Sequence, residues 1–195
     1  MASTEQTIRS FYVALQSKEL SRDILFRVAS IRLGNLVLNE QDLIYCKAAK
    51  LPARSIKNVT APYQGLDFNL PGVAKYEGSD SYSLTFYCDE NSNLRKRFED
   101  ETRYVFDDRT NTGDFLTPRA SAVIDLIQLD TKMNAVSKYK LIGASIRNVG
   151  EIEYKMAEGD GSVITFDVKL SYHFFERSDD GTPMSVNIGG ISIGL

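Results

Sequence analysis

The stretch from Ser81 to Phe106 constrains the fold most, because an extended segment there turns directly into a helix. From Tyr82 to Cys88, large apolar side chains alternate with small polar ones, except at Tyr87, and this alternation indicates a strand with one buried face. From Leu94 to Phe106, apolar residues recur at intervals of three and four, as they do along one face of a helix. The sequence therefore predicts one amphipathic helix that lies against a sheet.

The predicted helix has a capped start and two distinct faces. Asp89 to Asn93 supplies capping residues, and its acidic members precede the positive end of the helix. The apolar face consists of Leu94, Phe98, Thr102, Val105 and Phe106. The charged residues are assigned to the opposite, solvent-facing side: Arg95, Lys96, Arg97, Glu99, Asp100, Glu101 and Arg103.

Most of the remaining chain has the pattern of strands. The predicted strands are Ile24 to Leu33, Leu36 to Leu38, Leu43 to Lys47, Ala120 to Leu129, Ala135 to Ile142, Gly150 to Met156 and Ile164 to Phe174. The alternation in the last of these is the most regular in the chain. An Asp-Gly pair within Glu158 to Gly161 predicts a tight hairpin between the last two strands. Together these patterns predict a mainly β fold with one helix.

The segment from Ala53 to Gly78 is the least globular part of the sequence. It has no convincing helical pattern, and its apolar residues are scattered: Ile56, Val59, Tyr63, Leu66, Phe68, Leu70 and Val73. A segment of this length that can bury so little of itself is either a protruding hairpin or a loop with contacts on another molecule.

We expect residues 1–195 to form a single domain, long enough to bury roughly 70% of its unfolded surface. Residues 1–23 are predicted to be an arm or a short helix, since Thr4 to Gln16 has apolar residues at helical spacing. Residues 178–195 are predicted to be an extension. From Gly181 to Leu195 this extension has no charged residue and four glycines, which favours an edge strand added to a neighbour.

Composition excludes several classes of function. The net charge of −3 argues against a general nucleic-acid-binding protein and against binding to an anionic membrane. Met1 to Gln16 is polar and does not fit a signal peptide, and no apolar run approaches 18 residues. Cys46 and Cys88 lie within apolar strand patterns, so we expect buried, reduced thiols in a reducing cytosol.

Candidate catalytic and metal-binding residues are few. His173 is the only histidine, and it lies on the polar side of a predicted strand without partners at catalytic spacing. Asp107, Asp108 and Asp114 suggest a calcium loop, but the acidic spacing of such loops is interrupted at Arg109. One histidine and two cysteines barely supply a zinc site. We therefore predict no catalytic, cofactor-binding or metal-binding residues.

Three further motifs have ordinary interpretations. Gly72 to Gly78 lacks the Lys-Ser/Thr ending of a phosphate-binding loop. Arg95 to Arg97 is followed by Glu99 to Glu101, so this charged face favours solvation or a subunit contact. Asn58 to Thr60 matches a glycosylation acceptor, which means little without a signal peptide.

Several stretches together resemble the tail tube proteins of contractile-tailed bacteriophages, in the order expected for that family. Leu25 to Val28 resembles the family's first strand. Tyr45 to Ala53 resembles its Cys-Lys-Ala and Leu-Pro junction, after which a long hairpin arm leaves the body. Phe86 to Asp89, with Arg95 to Phe98, resembles its strand-to-helix unit with an Arg-x-x-Phe motif. Ile164 to Val168, with Tyr172, resembles its closing strand.

The sequence departs from this family at two points. The family usually has a tryptophan three residues after the helix phenylalanine, where this chain has Glu101, and Tyr104 or Phe106 is expected to fill the gap. The tail after Arg177 is also longer than expected, which leaves room for a tube-initiating baseplate protein.

The resemblance implies two packed, mostly antiparallel sheets in a sandwich-like or barrel-like body, with one flanking helix and a protruding arm. It implies a structural protein, without catalysis or cofactor, that forms stacked hexameric rings as the conduit for genomic DNA. The implied partners are the sheath, baseplate and tail terminator proteins, in a virion assembled in the host cytoplasm. Acidic residues facing the lumen would suit DNA passage, and the candidates are Asp125, Asp130, Glu151 and Glu153.

Two alternatives remain open from the sequence. One is a tube initiator, a baseplate protein or a tube component of a related injection or secretion machine. The other is a monomeric β-barrel that binds a small apolar ligand, which would leave the segment from Ala53 to Gly78 without an explanation.

Overall fold

The computed structural model describes residues 8–13, 21–114, 121–155, 161–179, 186–188 and 191–193. The fold is mainly β, as the sequence predicts. The helices are α1 (8–13), α2 (Glu40–Leu43) and α3 (Asn93–Val105). The strands are β1 (Phe26–Arg32), β2 (Val37–Leu38), β3 (Cys46–Ala48), β4 (Ser55–Tyr63), β5 (Leu66–Lys75), β6 (Tyr82–Tyr87), β7 (Val123–Leu129), β8 (Ala135–Ile142), β9 (Ser145–Val149), β10 (Thr165–Ser171), β11 (Phe174–Asp179), β12 (Val186–Ile188) and β13 (Ile191–Ile193).

The body consists of two antiparallel sheets that pack face to face. Sheet A has five strands in the order β11-β8-β7-β1-β2, and sheet B has four in the order β3-β6-β10-β9. The strand pair β4–β5, which we call the arm, forms a separate two-stranded sheet, and β12–β13 forms another. The expectation of two packed sheets with a flanking helix and a long hairpin is confirmed.

Aromatic side chains fill the space between sheet B and α3. Phe86 of β6, Phe98 of α3 and Phe166 of β10 are each at most 2% exposed. Their ring centroids lie 5.3 Å apart for Phe86–Phe98 and 5.7 Å apart for Phe86–Phe166. The predicted docking of the helix by Phe98 is therefore confirmed, and the apolar face of β6 lies in the same core.

The start of α3 is capped as the sequence predicts. The carboxylate of Asp89 accepts hydrogen bonds from the backbone N–H groups of Asn93 and Leu94, at 2.9 and 3.2 Å. Ser92 adopts a left-handed conformation with φ of 51°. This bend lets the chain pass from β6 into α3 while Asp89 stays close to the first turn.

The prediction of a strand from Leu43 to Lys47 is wrong in its first half. A short helix, α2, ends at Leu43, and β3 begins only at Cys46. The backbone N–H of Leu43 donates to the carbonyl oxygen of Asn39 at 3.1 Å, and Asp42 accepts the Asn39 N–H at 3.3 Å. These local bonds favour a helical turn over the extended conformation.

The predicted strand from Ile164 to Phe174 is divided in two. β10 ends at Ser171 in sheet B, and β11 begins at Phe174 in sheet A. The chain crosses between the sheets at His173, whose N–H donates to Ile142 at 2.9 Å and whose ring lies over Gly143. Gly143 has φ of +70°, and a Cβ there would collide with the imidazole, so the crossover depends on this glycine.

The prediction of a strand from Gly150 to Met156 is wrong over residues 150–155, and the predicted Asp-Gly turn lies largely outside the described residues. β9 and β10 do pair, but β9 spans Ser145–Val149, and the described residues 150–155 and 161–164 form no strand. The pairing runs from Ser145 opposite Ser171 to Val149 opposite Val168. The carbonyl oxygen of Gly150 is instead held by the guanidinium of Arg95 on α3, at 3.3 Å.

The two ends of the chain are described in part. Residues 8–13 are helical, with Ile8, Phe11 and Tyr12 exposed, and the rest of the predicted arm 1–23 up to residue 20 lies outside the described residues. In the predicted extension 178–195, β12 pairs with β13 in antiparallel register. Among the described helices, none is both long enough and apolar enough to cross a membrane.

Candidate assembly surface

The arm is an amphipathic hairpin. Its strands turn at Gln64 and Gly65, both with positive φ. The register places Val59 opposite Leu70, Ala61 opposite Phe68 and Tyr63 opposite Leu66. Directly opposed residues share a face of the sheet, so these six residues form one face, which we call the apolar arm face. The other face carries Asn58, Thr60, Pro62, Asp67, Asn69 and Pro71.

The apolar arm face is open to solvent within this chain. Phe68 is 49% exposed, Leu70 52% and Leu66 65%, and every residue of β5 is classed as exposed. Soluble monomers rarely expose a contiguous apolar patch of this kind unless it has a function. The arm is therefore the strongest candidate for a surface at which another molecule binds.

The polar arm face is nearly free of charge. The hydroxyl of Thr60 donates to the side-chain oxygen of Asn69 across the hairpin, at 3.1 Å. Between Asn58 and Ala74, Asp67 is the only charged residue. An approaching surface would therefore meet little electrostatic repulsion from the arm.

Contacts at one end of the body anchor the base of the arm. The phenol of Tyr82 donates to the carbonyl oxygen of Lys50 at 2.6 Å, just before β4. After β5, the ring of Tyr76 packs edge to face against Phe175 at 5.5 Å. The first connection therefore lies beside the start of β6 in sheet B, and the second contacts β11 of sheet A.

Among the described residues, each sheet ends on one side in a longer edge strand. β11 is an edge of sheet A, and β9 is an edge of sheet B. The opposite edges, β2 and β3, are only two and three residues long. Unpaired backbone groups at a strand edge can pair with a strand of another chain.

The prediction that Glu101 lies on the solvent-facing side of α3 is wrong. It is only 4% exposed, and its carboxylate accepts the Asn35 N–H at 3.1 Å in the turn between β1 and β2. The pKa of Glu101 is raised above its ordinary value because burial disfavours the charged carboxylate. Hydrogen bonds from the N–H groups of Asn35 and Leu36 offset part of this rise. A Cβ on Gly34 would lie 2.5 Å from the carboxylate, so the glycine permits this close approach.

The expected replacement for the family's tryptophan is only partly correct. Tyr104 lies beside Gly34 and is half-buried, with its hydroxyl donating to Asp114 at 3.2 Å. Phe106 is 40% exposed and lies beyond the end of α3, so it does not fill the position. Glu101 itself occupies the space and holds the β1–β2 turn by hydrogen bonds.

Two of the basic residues of α3, Arg95 and Arg97, have structural partners. Arg97 donates to the carbonyl oxygen of Val37 at 2.6 Å and forms an ion pair with Asp42 at 2.9 Å. Arg95 forms an ion pair with Glu99. On the charged side of the helix, Arg97 therefore contacts the β2 region, and Arg95 contacts Gly150 after β9.

The four candidate lumen residues come from different elements of the fold. Asp125 lies in the middle of β7 and accepts the Ser30 hydroxyl at 2.5 Å. Asp130 holds the turn between β7 and β8, where the Asn134 N–H and side-chain amide lower its pKa. Glu151 and Glu153 are exposed in the segment after β9 of sheet B. Their facing a lumen stays a prediction.

The residues considered for catalysis and metal binding remain dispersed. His173 is exposed at the crossover between the sheets. Asp107, in a bridge with Thr112, accepts the Arg109 N–H at 2.9 Å and so organises its own turn. Across the described part of the chain, no group of three His, Cys, Asp or Glu residues could hold a metal ion.

The remaining sequence motifs lie in or beside the strands of sheet B and of the arm. Cys46 and Cys88 are free thiols that are partly rather than fully buried, and burial raises the pKa of Cys46 to about 11. Asn58 to Thr60 lies within β4, and Gly72 lies in β5, where it passes close to the backbone of β4. Gly72 therefore permits the close approach of the two strands of the arm.

Three solved structures share this fold. A chain of the anti-feeding prophage (AFP) baseplate, 6-fold symmetrised, has a TM-score of 0.60 at 14% identity, covering 85% of this chain and 99% of that one. A chain of the AFP tube-terminating cap has a TM-score of 0.57 at 8% identity, covering 83% and 93%. A chain of the sheath/tube terminator of PVC, an extracellular contractile injection system, has a TM-score of 0.53 at 8% identity, covering 83% and 98%.

These likenesses establish the fold. No protein-family model matches the sequence. No curated protein matches it either. The chain nevertheless covers nearly the whole length of each similar structure. The fold expected from the resemblance is thus the fold of chains from a baseplate, a tube-terminating cap and a sheath/tube terminator.

Proposed function

We propose that this chain is a non-enzymatic structural subunit of a contractile tail or a related injection machine, and that it assembles with copies of itself into a hollow tube. The observation that carries the proposal is the apolar arm face, where Leu66, Phe68 and Leu70 are about half exposed or more. Covering this face with a second copy would stabilise the assembly through the hydrophobic effect.

The open strand edges support closure into a ring. Pairing of β11 or β9 with a neighbouring copy would continue a sheet from subunit to subunit, and a closed ring leaves no exposed edge. We propose a ring of six, in accord with the 6-fold symmetry of the AFP baseplate to which this fold is similar. In this arrangement the sheet edges form the ring and the arm joins one ring to the next.

We further propose that the tube is the conduit for phage DNA. The chain carries 26 acidic and 23 basic residues, so its lumen need not attract phosphate groups. A strongly basic lumen would retain DNA through phosphate contacts and counterion release. The partners that follow are the tail sheath, baseplate and terminator proteins in a virion assembled in the host cytoplasm.

A second candidate is a subunit that forms one ring at the end of a tube, such as an initiator. Chains of a baseplate, a cap and a terminator share this fold, and each belongs to an end of its particle. Both candidates require self-assembly, but they differ in its extent. Tubes of indefinite length would favour the main tube subunit, whereas assembly that stops at one or two rings would favour the initiator.

Negative-stain electron microscopy over a range of protein concentrations, with solution mass measured in parallel, tests the proposal. We expect hollow rings or tubes at high concentration. Deleting Gln64 to Val73 should leave a folded subunit that no longer stacks. Normal tubes from this deletion variant would contradict the role of the arm, while a monomer that binds an apolar dye saturably would favour the ligand-binding barrel.

A further inference from the structure

The arm carries a proline on each of its two strands. Two of the five prolines of the chain lie there, Pro62 in β4 and Pro71 in β5, and both are exposed. A proline has no backbone N–H to donate to a sheet, so within sheets it is found mainly on edge strands. Both strands of the arm are edges, because the arm is a separate two-stranded sheet.

The register of the arm shows which way the two missing N–H groups would point. In an antiparallel pair of strands, hydrogen-bonded residue pairs alternate with pairs whose N–H and C=O groups point outward. The two-residue turn makes its flanking pair, Tyr63 and Leu66, a hydrogen-bonded one. Alternation from this pair assigns Pro62 and Pro71 to pairs of the outward type.

Each outer edge of the arm is therefore interrupted. The outward N–H groups that remain belong to the other four residues of the polar arm face: Asn58, Thr60, Asp67 and Asn69. Pro62 breaks the row of donors along β4, and Pro71 breaks the row along β5. A strand added to either edge would lose a hydrogen bond at the proline and would meet its pyrrolidine ring.

A β-bulge beside Pro71 closes the β5 edge further. The register shifts between Ile56 and Asn58, where β5 has one extra residue. Gly72 in this bulge lies so close to β4 that a Cβ there would be 2.6 Å from the Lys57 carbonyl oxygen. A bulge bends its strand and increases the local twist. Prolines and bulges are both means by which natural sheets prevent edge-to-edge pairing.

The edge of sheet A differs from the edges of the arm. β11 contains no proline, and its pairing with β8 runs from Phe174 to Asp179 without a register shift. The apolar arm face, in turn, contains no charged residue, because Asp67 lies on the polar arm face. Docking through the apolar face would therefore bury no charge of the arm.

We propose that Pro62 and Pro71 prevent strand addition at the arm, so that the arm binds a second copy through its apolar face. This inference rests on the proposed self-assembly and adds the mode of contact. Strand addition between neighbouring copies is then left to edges of the body such as β11. The two prolines determine the specificity of the arm by excluding the wrong mode of pairing.

The first test restores the missing N–H groups in an arm whose apolar face is disabled. The background variant is Phe68→Ser/Leu70→Ser, and the combined variant adds Pro62→Thr and Pro71→Thr. In sedimentation velocity, we expect the combined variant to associate at lower concentrations than the background, by roughly two- to tenfold for each restored N–H. Equal association of the two variants would overturn the inference.

A proline outside the paired strands provides the matched control. Pro52 precedes β4 and has no partner in the register of the arm. Pro52→Thr in the same background makes the same chemical change without altering an edge, so its association should equal that of the background. If Pro52→Thr promotes association as strongly as the Pro62→Thr/Pro71→Thr pair, the edges of the arm are not responsible.

Hydrogen exchange tests the mode of contact in the unmodified protein. The N–H groups of Thr60 and Asn69 point to the outer edges, and those of Ala61 and Phe68 point into the hairpin. We expect assembly to slow exchange at Ala61 and Phe68, because docking stabilises the hairpin against local opening, and to leave Thr60 and Asn69 unchanged. Protection of Thr60 or Asn69 on assembly would show that a strand adds to the arm, and would overturn the inference.

These experiments separate the inference from the proposed function. If the wild type assembles and Thr60 or Asn69 becomes protected, the inference fails and the proposed self-assembly stands. If the wild type forms no species larger than a monomer, the proposed function fails, and the comparison of Pro62→Thr/Pro71→Thr with its background still decides whether the prolines close the edges.

Discussion

β6 and the first half of β5 both alternate apolar and polar side chains, but the two strands lie in opposite environments. In β6, Tyr82, Leu84 and Phe86 are at most 5% exposed, because α3 and the facing sheet cover them. In the arm, the alternating residues of β5 remain about half exposed or more. Alternation therefore identifies the apolar face of a strand, but it does not show whether the same chain or another molecule covers that face.

The energetic difference between these two strands is large. Burying a leucine or phenylalanine side chain contributes about 1.5–3 kcal/mol relative to exposure. β6 gains this contribution within the subunit, whereas the arm can gain it only from a partner. We therefore expect substitutions in the body to change the stability of the subunit and substitutions in the arm to change its assembly.

The largest effect is expected for Phe98→Ala, which removes a ring from the core between α3 and sheet B. The free energy of unfolding should fall by about 3–5 kcal/mol, from lost burial and a residual cavity. Urea denaturation would measure it. A change under about 1 kcal/mol would mean that the helix packs only weakly on the body.

A smaller effect is expected for Glu101→Ala, which removes the acceptor for the Asn35 N–H and the neighbouring backbone. Leaving a buried donor without a partner should cost about 1–3 kcal/mol. Glu99→Ala is the control on the same helix, because Glu99 forms a partly exposed ion pair worth less than about 1 kcal/mol. Equal losses from the two variants would contradict a specific role for the buried carboxylate.

The same residue predicts a dependence of stability on pH. Burial raises the pKa of Glu101 in the folded state, so the folded protein binds this proton more tightly than the unfolded chain does. The resulting stabilisation is present below the ordinary pKa of 4.5 and is lost as pH rises through the raised value. The stability of the wild type relative to Glu101→Gln should therefore fall with rising pH in that window. If the stability difference between the wild type and Glu101→Gln stays constant or grows as pH rises, the pKa of Glu101 is not raised in the folded state.

A still smaller effect is expected for Asp89→Ala, which removes both hydrogen bonds from the carboxylate to the first turn of α3. Loss of a helix cap costs about 1 kcal/mol. Thermal unfolding would measure the change, with the exposed neighbour Glu90→Ala as control. If the two variants unfold at the same temperature, the capping role of Asp89 is excluded.

The smallest effect on the isolated subunit is expected for Phe68→Ala in the arm. This substitution makes the same chemical change as Phe98→Ala, but at a side chain that is 49% exposed. Its cost should stay within about 0.5 kcal/mol in urea denaturation of the monomer. A loss comparable to that of Phe98→Ala would show that the arm packs onto its own body.

Local patterns were sufficient to predict much of the fold. Alternation identified β6, helical spacing identified α3, and the need for capping identified the segment that contains Asp89. For the arm, the residue pattern left a hairpin and a loop both open, and the family resemblance favoured the hairpin that the structure shows. These features depend on neighbours along the chain.

Features that depend on distant contacts could not be predicted. The sequence places Glu101 on the charged side of α3, but a turn 66 residues away supplies its hydrogen bonds. The alternation from Ile164 continues to Phe174 without a visible break, although the chain changes sheets at His173 beside Gly143.

Sedimentation velocity of the wild type and the Phe68→Ser/Leu70→Ser variant, across the same range of concentrations, tests whether a second copy covers the arm. We expect the wild type to form species larger than a single ring and the variant to form none, with equal thermal stability of the two subunits. A variant that assembles at the same concentrations as the wild type would contradict the claim that a second copy covers the apolar arm face.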